Sequence, residues 1–167
     1  MQVNNSNSSD TVILETDAST FRGKDKTSND GLCFAAGTDL SPGGSNYAHY
    51  QVFNPASSGV ICLVDKAYIA SFGDAGIWLY SYDTALTTLV RNGVNKNIGG
   101  AAGVCEFRTQ ASSSKLGDVI TMKSSTGLKV AQWDLDNPFV LGKGEGLILL
   151  NGTTNLFTMG GFEWREV

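Results

Sequence analysis

Histidine is almost missing from this chain, and its scarcity limits the chemistry that the side chains can perform. The single histidine, His49, stands in a strand-like segment beside Tyr47 and Tyr50. A Ser/His/Asp triad could use only His49, and no G-x-S-x-G motif accompanies it. A multi-histidine metal site cannot be assembled from one histidine. We therefore interpret His49 as a packed or surface residue, and we expect no catalytic residue, no cofactor and no metal ion.

Charge is also scarce, because charged residues make up 17% of the chain against about 25% in typical domains. The net charge is -4, and the Lys and Arg residues are scattered. A basic nucleic-acid footprint is therefore absent, and no nucleic-acid partner is expected. The sequence contains neither a signal-peptide pattern nor an apolar run of membrane length, so we expect no membrane partner and synthesis in a cytoplasm.

Cysteine is limited to Cys33, Cys62 and Cys105, an odd number with no C-x-x-C spacing. Cys62 and Cys105 lie in apolar, strand-like runs, where a free thiol behaves as a small buried hydrophobe. This interpretation predicts folding in a reducing compartment.

Carboxylates offer a second chemical possibility in the stretch "DLDN" (134–137). Asp134 and Asp136 place oxygen ligands at alternate positions, as Ca²⁺ would accept, but the glycine and distant glutamate of an EF-hand do not follow. A glycosidase would need two carboxylates across a cleft. We interpret "DLDN" as a solvated turn before Asn-Pro.

The stretch "GKGEG" (142–146) looks like a glycine-rich phosphate loop but lacks the GK[ST] ending. We expect Gly142, Gly144 and Gly146 to permit positive φ in a tight connection between strands.

Glycine and alternating apolar residues are what the chain has in abundance. Glycine accounts for 20 of 167 residues, and turn signals recur every 8–12 residues. Alternation is clear in "IWLYSYD" (77–83) and in "VCEFRT" (104–109), with Cys105 and Phe107 facing inward. The pattern predicts an all-β protein: an antiparallel β-sandwich of jelly-roll type with eight to ten strands.

Residues 1–44 differ from the rest of the chain. They begin with an Asn/Ser-rich stretch, contain the short strand candidate "TVILE" (11–15), and continue as a polar loop region whose apolar island is "LCFAAG" (32–37). We predict an extended N-terminal arm and loop region over residues 1–44, followed by the β-sandwich domain over residues 45–167.

Two hairpins are predicted from turn chemistry. Asn92-Gly93 is a hairpin signal, and residues 118–123 and 128–134 could pair across "SSTG" (124–127). The chain then closes on a strand with Phe162 and Trp164 on one face and Glu163, Arg165 and Glu166 pointing outward or to a neighbour. Gly160-Gly161 would allow a bulge in this strand.

The aromatic residues Trp78, Tyr80 and Tyr82 share one strand face. They could form core, a subunit interface or a sugar platform. The core is the default interpretation, and the interface comes next because Trp and Tyr are enriched at interfaces.

Several stretches resemble structural proteins of tailed-phage virions: "YQVFNPASSGVICLVDKAYIA" (50–70), "GIWLYSYDTAL" (76–86) and the ending "PFVLGKGEGLILLNGTTNLFTMGGFEWREV" (138–167). The resemblance covers about residues 48–167 and consists of strand and turn patterns. It implies a virion component, with capsid decoration (cement) as the preferred role and trimers on the shell as the common assembly. It provides no catalytic residues to carry over.

The leading hypothesis is therefore a non-enzymatic capsid decoration protein that bridges and stabilises major capsid subunits as a homotrimer on the virion surface. The alternative is a tail, baseplate or receptor-binding protein that recognises host surface glycan through Trp78, Tyr80, Tyr82 or Trp133. A third class, a glycan hydrolase, would depend on Asp134 or Asp136. The predicted partner-interface residues lie in the arm, in the apolar island after it and on the aromatic strand: Val12, Ile13, Leu14, Phe21, Leu32, Phe34, Trp78, Tyr80 and Tyr82.

Overall fold

The structure is a computed structural model that describes residues 32–125 and 127–167. These residues form eleven strands: β1 (Cys33–Leu40), β2 (Tyr47–Phe53), β3 (Cys62–Phe72), β4 (Ala75–Ser81), β5 (Thr88–Asn92), β6 (Val94–Asn95), β7 (Glu106–Ser112), β8 (Asp118–Ser125), β9 (Leu128–Leu141), β10 (Gly146–Asn151) and β11 (Thr158–Glu166). Within the described part of the chain there is no helix long and apolar enough to cross a membrane.

The strands form two antiparallel sheets. Sheet A has the order β6-β1-β11-β3-β9, and sheet B has the order β5-β7-β2-β10-β4-β8. The predicted all-β antiparallel sandwich is confirmed, with eleven strands where eight to ten were expected. The jelly-roll connectivity and the N-terminal arm stay predictions, and residues 1–31 lie outside the described residues.

The main core fills the space between the sheets, as alternation along the strands requires. Strand β4 sends Ile77 and Leu79 into it, and β11 sends Phe162 and Trp164. Strand β10 is buried along its whole length because it lies between β2 and β4 and is covered on both faces. Its continuous apolar sequence is what such a central strand needs.

The loop region predicted before residue 45 contains a strand of the sandwich. Residues Cys33–Leu40 form β1, which pairs with β11 along its whole length and with β6 on its other side. Apolar and polar residues alternate only in part along β1, because Gly37 has no side chain at a position that points outward. This weak alternation is why the sequence pattern predicted a loop region here.

Both predicted hairpins are wrong, because the strands on either side of each turn belong to different sheets. Strands β5 and β6 flank Gly93, yet β5 pairs with β7 in sheet B and β6 pairs with β1 in sheet A. Likewise β8 pairs with β4, and β9 pairs with β3. A Cβ on Gly93 would lie 2.5 Å from Cζ2 of Trp164, so this glycine makes room for a core ring.

The stretch "DLDN" continues β9 and is not a separate turn. Lys66 pairs with Asp134 and Val64 pairs with Phe139, so residues 135–138 bulge opposite Asp65. The Nε2 of Gln132 donates to Asp134 Oδ2 at 2.7 Å, and this bond together with the nearby Lys66 lowers the pKa of Asp134. Over residues 32–125 and 127–167, no three His, Cys, Asp or Glu side chains are grouped to hold a metal ion.

The closing strand has the predicted faces with one exception. Phe162 and Trp164 are buried, and Met159 is exposed. Gly160-Gly161 pairs in regular register, and the irregularity lies at Asp65, opposite Glu163 and Trp164. The expected outward direction of Glu166 is wrong, because its side chain is buried between the sheets.

Candidate interaction surface

Strand β4 carries aromatic side chains on the face of sheet B that points away from the main core. Trp78, Tyr80 and Tyr82 belong to a second, smaller cluster on this outer face, whereas Ile77 and Leu79 belong to the main core. Tyr80 is buried, and Trp78 and Tyr82 are half-buried. Tyr80 is therefore a core residue of the smaller cluster, whereas Trp78 and Tyr82 are only partly buried against that cluster.

The edge strand β8 extends this stripe with exposed apolar residues. Met122 pairs with Trp78 and Val119 pairs with Tyr80, so their side chains follow the aromatic ones on the outer face. Val119 is 56% exposed and Met122 is 55% exposed. We call this surface the aromatic face, and it consists of Tyr47, Trp78, Tyr80, Tyr82, Val119 and Met122.

The positive charge of Lys115 lies over the aromatic face. The ammonium of Lys115 is 4.8 Å from the centre of the Trp78 ring and 5.5 Å from that of Tyr47. Such cation–π contacts are worth about 0.5–1 kcal/mol at an exposed site. Lys115 makes no salt bridge within the described residues. No carboxylate of residues 32–125 or 127–167 therefore neutralises its charge.

The floor of the aromatic face is fixed by Gln51, a fully buried amide on β2. Its Nε2 donates to the carbonyls of Tyr82 and Thr84 at 3.3 and 3.0 Å, and its Oε1 accepts from the Leu86 N–H at 2.8 Å. Arg108 Nη1 donates to the Leu86 carbonyl at 2.7 Å. These bonds hold the connection between β4 and β5 against the sheet, so Leu86 covers the smaller cluster.

The glycine-rich turn before β10 supports the same region. Gly144 has a φ of 82°, as predicted, but Gly142 and Gly146 do not have positive φ. A Cβ on Gly146 would lie 2.5 Å from Gln51 Nε2 and 2.8 Å from the Tyr82 carbonyl oxygen. The prediction of positive φ is therefore wrong for Gly142 and Gly146. Gly146 is instead needed for the close approach to Gln51.

His49 lies on the same side of sheet B, next to Gln51 along β2, and is fully buried. Neither ring nitrogen has a hydrogen-bond partner among the residues that the structure describes. Burial lowers the pKa of His49, and the backbone groups of Gln110 and Tyr47 offset part of this effect. The imidazole is therefore neutral near pH 7, in keeping with its interpretation as a packed residue.

The other predicted interface residues fall in three different places. Val12, Ile13, Leu14 and Phe21 lie outside the described residues. Leu32 is exposed, but Phe34 is 4% exposed and packs 6.4 Å from the Trp164 ring, so it has no area to offer a partner. Trp133, a candidate for sugar binding, is also a core residue.

A cleft of about 580 Å³ adjoins the aromatic face at Tyr82. Its polar lining includes three carboxylates, those of Asp83, Asp118 and Glu145, and its apolar lining includes Phe139. Residues at the start of β8 and at the end of β9, which are edge strands of the two sheets, line it. An aromatic ring beside carboxylate oxygens can stack on a sugar ring and accept hydrogen bonds from its hydroxyl groups.

Comparisons of the chain with protein-family models, with characterised proteins and with solved structures give no match.

Sequence reasoning missed Gln51, Val119 and Met122. The stretch "DVITMK" (118–123) indicated a strand, but a pattern does not show that this strand lies at an edge with little covering it. Gln51 carried a usable signal, because a polar residue among the apolar neighbours Tyr50 and Val52 needs hydrogen-bond partners when buried.

Proposed function

We propose that this protein is a non-enzymatic structural component of a tailed-phage virion, with capsid decoration as its role. The observation that carries the proposal is the aromatic face, where half-buried Trp78 and Tyr82 continue into the exposed Val119 and Met122. Contiguous exposed apolar surface commonly marks a protein–protein contact. Trp, Tyr and Met are also enriched at such contacts.

The partner in this proposal is the major capsid protein. Its contact surface would be apolar and would carry a carboxylate close to Lys115, because that ammonium lies over Trp78 and lacks a salt bridge in the described residues. Because Lys115 and the partner carboxylate would both lose water at the centre of the contact, their ion pair would contribute more to specificity than to affinity.

The strand order supports the finer fold assignment that goes with this role. Strands β1-β11-β3-β9 face strands β2-β10-β4-β8, an eight-strand arrangement to which β5, β6 and β7 are added at the edges next to β1 and β2. This order fits a jelly roll, an architecture of viral capsid and lectin domains. Fold alone does not give function, so the surface carries the argument.

A homotrimer is the assembly that we propose on the shell. The side of the sandwich bordered by β5 and β6 exposes Leu89 on β5, Val94 on β6 and Ile98 in the loop after β6. Strand β5 is the opposite edge of sheet B from β8. Two separate apolar surfaces allow one to contact sister copies while the other contacts the capsid. Native mass measurement on wild type and on Ile98→Glu tests this: a trimer that the variant reduces to monomer supports it, and a wild-type monomer contradicts it.

The mechanism is mass action. A protein that binds only the assembled lattice stabilises it by an amount that grows with its free concentration relative to Kd. Each copy would join the virion surface after synthesis in the bacterial cytoplasm.

The experiment that tests the role uses expanded capsids of the encoding phage, prepared without this protein. We expect saturable density at lattice points and a higher capsid melting temperature after mixing. Absence of binding at saturating concentrations would contradict the capsid role.

The cleft beside Tyr82 favours one alternative, a tail or receptor-binding protein that recognises host surface glycan. Its three carboxylates and the Tyr82 ring are the chemistry that carries this alternative. Binding to host cells that Tyr82→Ala abolishes, together with no binding to capsids, would select it over capsid decoration.

A further inference from the structure

Two buried thiols lie near each other between the sheets, away from the aromatic face. Cys62 begins β3 in sheet A, and Cys105 immediately precedes β7 in sheet B. Both are fully buried and belong to the same core cluster, and Cys105 is near enough to contribute to the raised pKa of Cys62. Neither takes part in a disulfide. Two cysteines far apart in sequence are thus brought together across the core.

Hydrogen bonds connect Cys105 to the two strands that flank Cys62, and they hold Cys105 close to Cys62. Glu166 is the register partner of Cys62 on β11, and its Oε1 accepts a hydrogen bond from the Cys105 N–H at 2.9 Å. Leu141 is the register partner on β9, and its carbonyl accepts from Asn54 Nδ2 at 3.0 Å. The Cys105 thiol in turn donates to Asn54 Oδ1 at 3.7 Å.

We propose that Cys62 and Cys105 form a disulfide between the sheets when the folded protein meets a low-molecular-weight disulfide, such as oxidised glutathione. One cysteine thiolate attacks the small disulfide, which gives a mixed disulfide and releases one small thiol. The thiolate of the second cysteine attacks the protein sulfur of the mixed disulfide and releases the other small thiol. Two protein thiols are oxidised, and one small disulfide is reduced to two thiols.

The surroundings of the pair make this reaction slow. Burial raises the pKa of Cys62, and the nearby Cys105, Glu166 and Asp65 add to the rise. Because the thiolate is the nucleophile, little of it forms at neutral pH, and the small disulfide enters only when the core opens locally. The thiols therefore persist in a reducing cytoplasm, and the cross-link forms after transfer to an oxidising medium. This inference rests on the core geometry and does not depend on capsid binding.

The test incubates folded wild-type protein with oxidised glutathione at about pH 8.5, in urea well below the unfolding transition to permit local opening. Remaining thiols are then alkylated under denaturing conditions, and the digest is analysed by mass spectrometry. We expect a cross-linked Cys62–Cys105 peptide, with Cys33 alkylated. A cross-link that closes a long loop should also raise the melting midpoint by about 5–10 °C.

Three variants serve as controls. Cys33→Ala should form the same cross-link, and Cys62→Ala and Cys105→Ala should show no rise in melting midpoint after oxidation. Quantitative alkylation of Cys62 and Cys105 after prolonged incubation of wild type, a persistent mixed disulfide on either one, or a cross-link that includes Cys33 would each overturn the proposal.

Discussion

The indole Nε1–H of Trp164 donates a 3.1 Å hydrogen bond to Oε1 of Glu166, two residues further along β11. Glu166 is 4% exposed, and its carboxylate also accepts from the backbone N–H groups of Val104 and Cys105. A buried carboxylate needs such charge-assisted bonds to offset its desolvation. Glu166 therefore joins the end of sheet A to the start of β7 in sheet B.

Replacing Glu166 by Gln should lower the free energy of unfolding by about 1–3 kcal/mol. Both carboxylate oxygens of Glu166 accept from Val104 N, at 3.0 and 2.8 Å, so an amide would turn an N–H group toward an N–H group. Urea unfolding followed by tryptophan fluorescence measures the change. The exposed Asp136→Asn is the control, with an expected change within about 0.5 kcal/mol. Equal stability of the two variants would contradict the role given to Glu166.

Replacing Gln51 by Ala should cost about 2–3 kcal/mol, because the carbonyl of Thr84 and the N–H of Leu86 lose their partner. Amide hydrogen exchange at Leu86 should speed up more than exchange in β11. Gln110→Ala is the matched control, since Gln110 accepts one exposed bond from Thr87 at 3.2 Å. If both variants change stability and exchange alike, Gln51 does not anchor this connection.

Acidification should destabilise the protein through His49. Burial lowers the pKa of His49 in the folded state, so the unfolded chain binds its proton first, near pH 6.5. The contribution of His49 to the free energy of unfolding is then constant above that pH. It falls as the pH drops toward the folded-state pKa, by at most about 1.4 kcal/mol per pH unit. Denaturation of wild type and His49→Leu between pH 7.5 and 5 should show wild type losing stability relative to the variant as the pH falls. Parallel pH profiles for the two proteins would rule out this contribution.

Alternation in the sequence predicted the strands well, because side-chain period follows directly from strand geometry. Phe107 and Cys105 face the core as expected, and so do Phe162 and Trp164. The same pattern says nothing about which sheet receives a strand. Asn92-Gly93 has hairpin chemistry, yet the chain changes sheets there, and the glycine leaves room for the Trp164 ring.

The candidate surface was only partly predictable for a related reason. The sequence shows that Trp78, Tyr80 and Tyr82 share a face, but their exposure depends on what covers that face. Part of this cover is Leu86, which Gln51 holds over the sheet. The two residues lie far apart in the chain, so the sequence pattern does not show their contact. Glu166 was predicted to be a surface charge because its donors, Val104 and Cys105, are also distant in sequence.

Capsid binding by two matched variants tests the central claim most directly. Met122→Glu places a charge on the aromatic face, and Val130→Glu places one on an equally exposed valine of sheet A. Both should fold with melting temperatures close to wild type. Co-sedimentation with capsids that lack the protein should show at least about tenfold weaker binding for Met122→Glu, a loss of about 1.4 kcal/mol or more, and unchanged binding for Val130→Glu. Wild-type affinity in Met122→Glu would contradict the assignment of the aromatic face as the capsid contact.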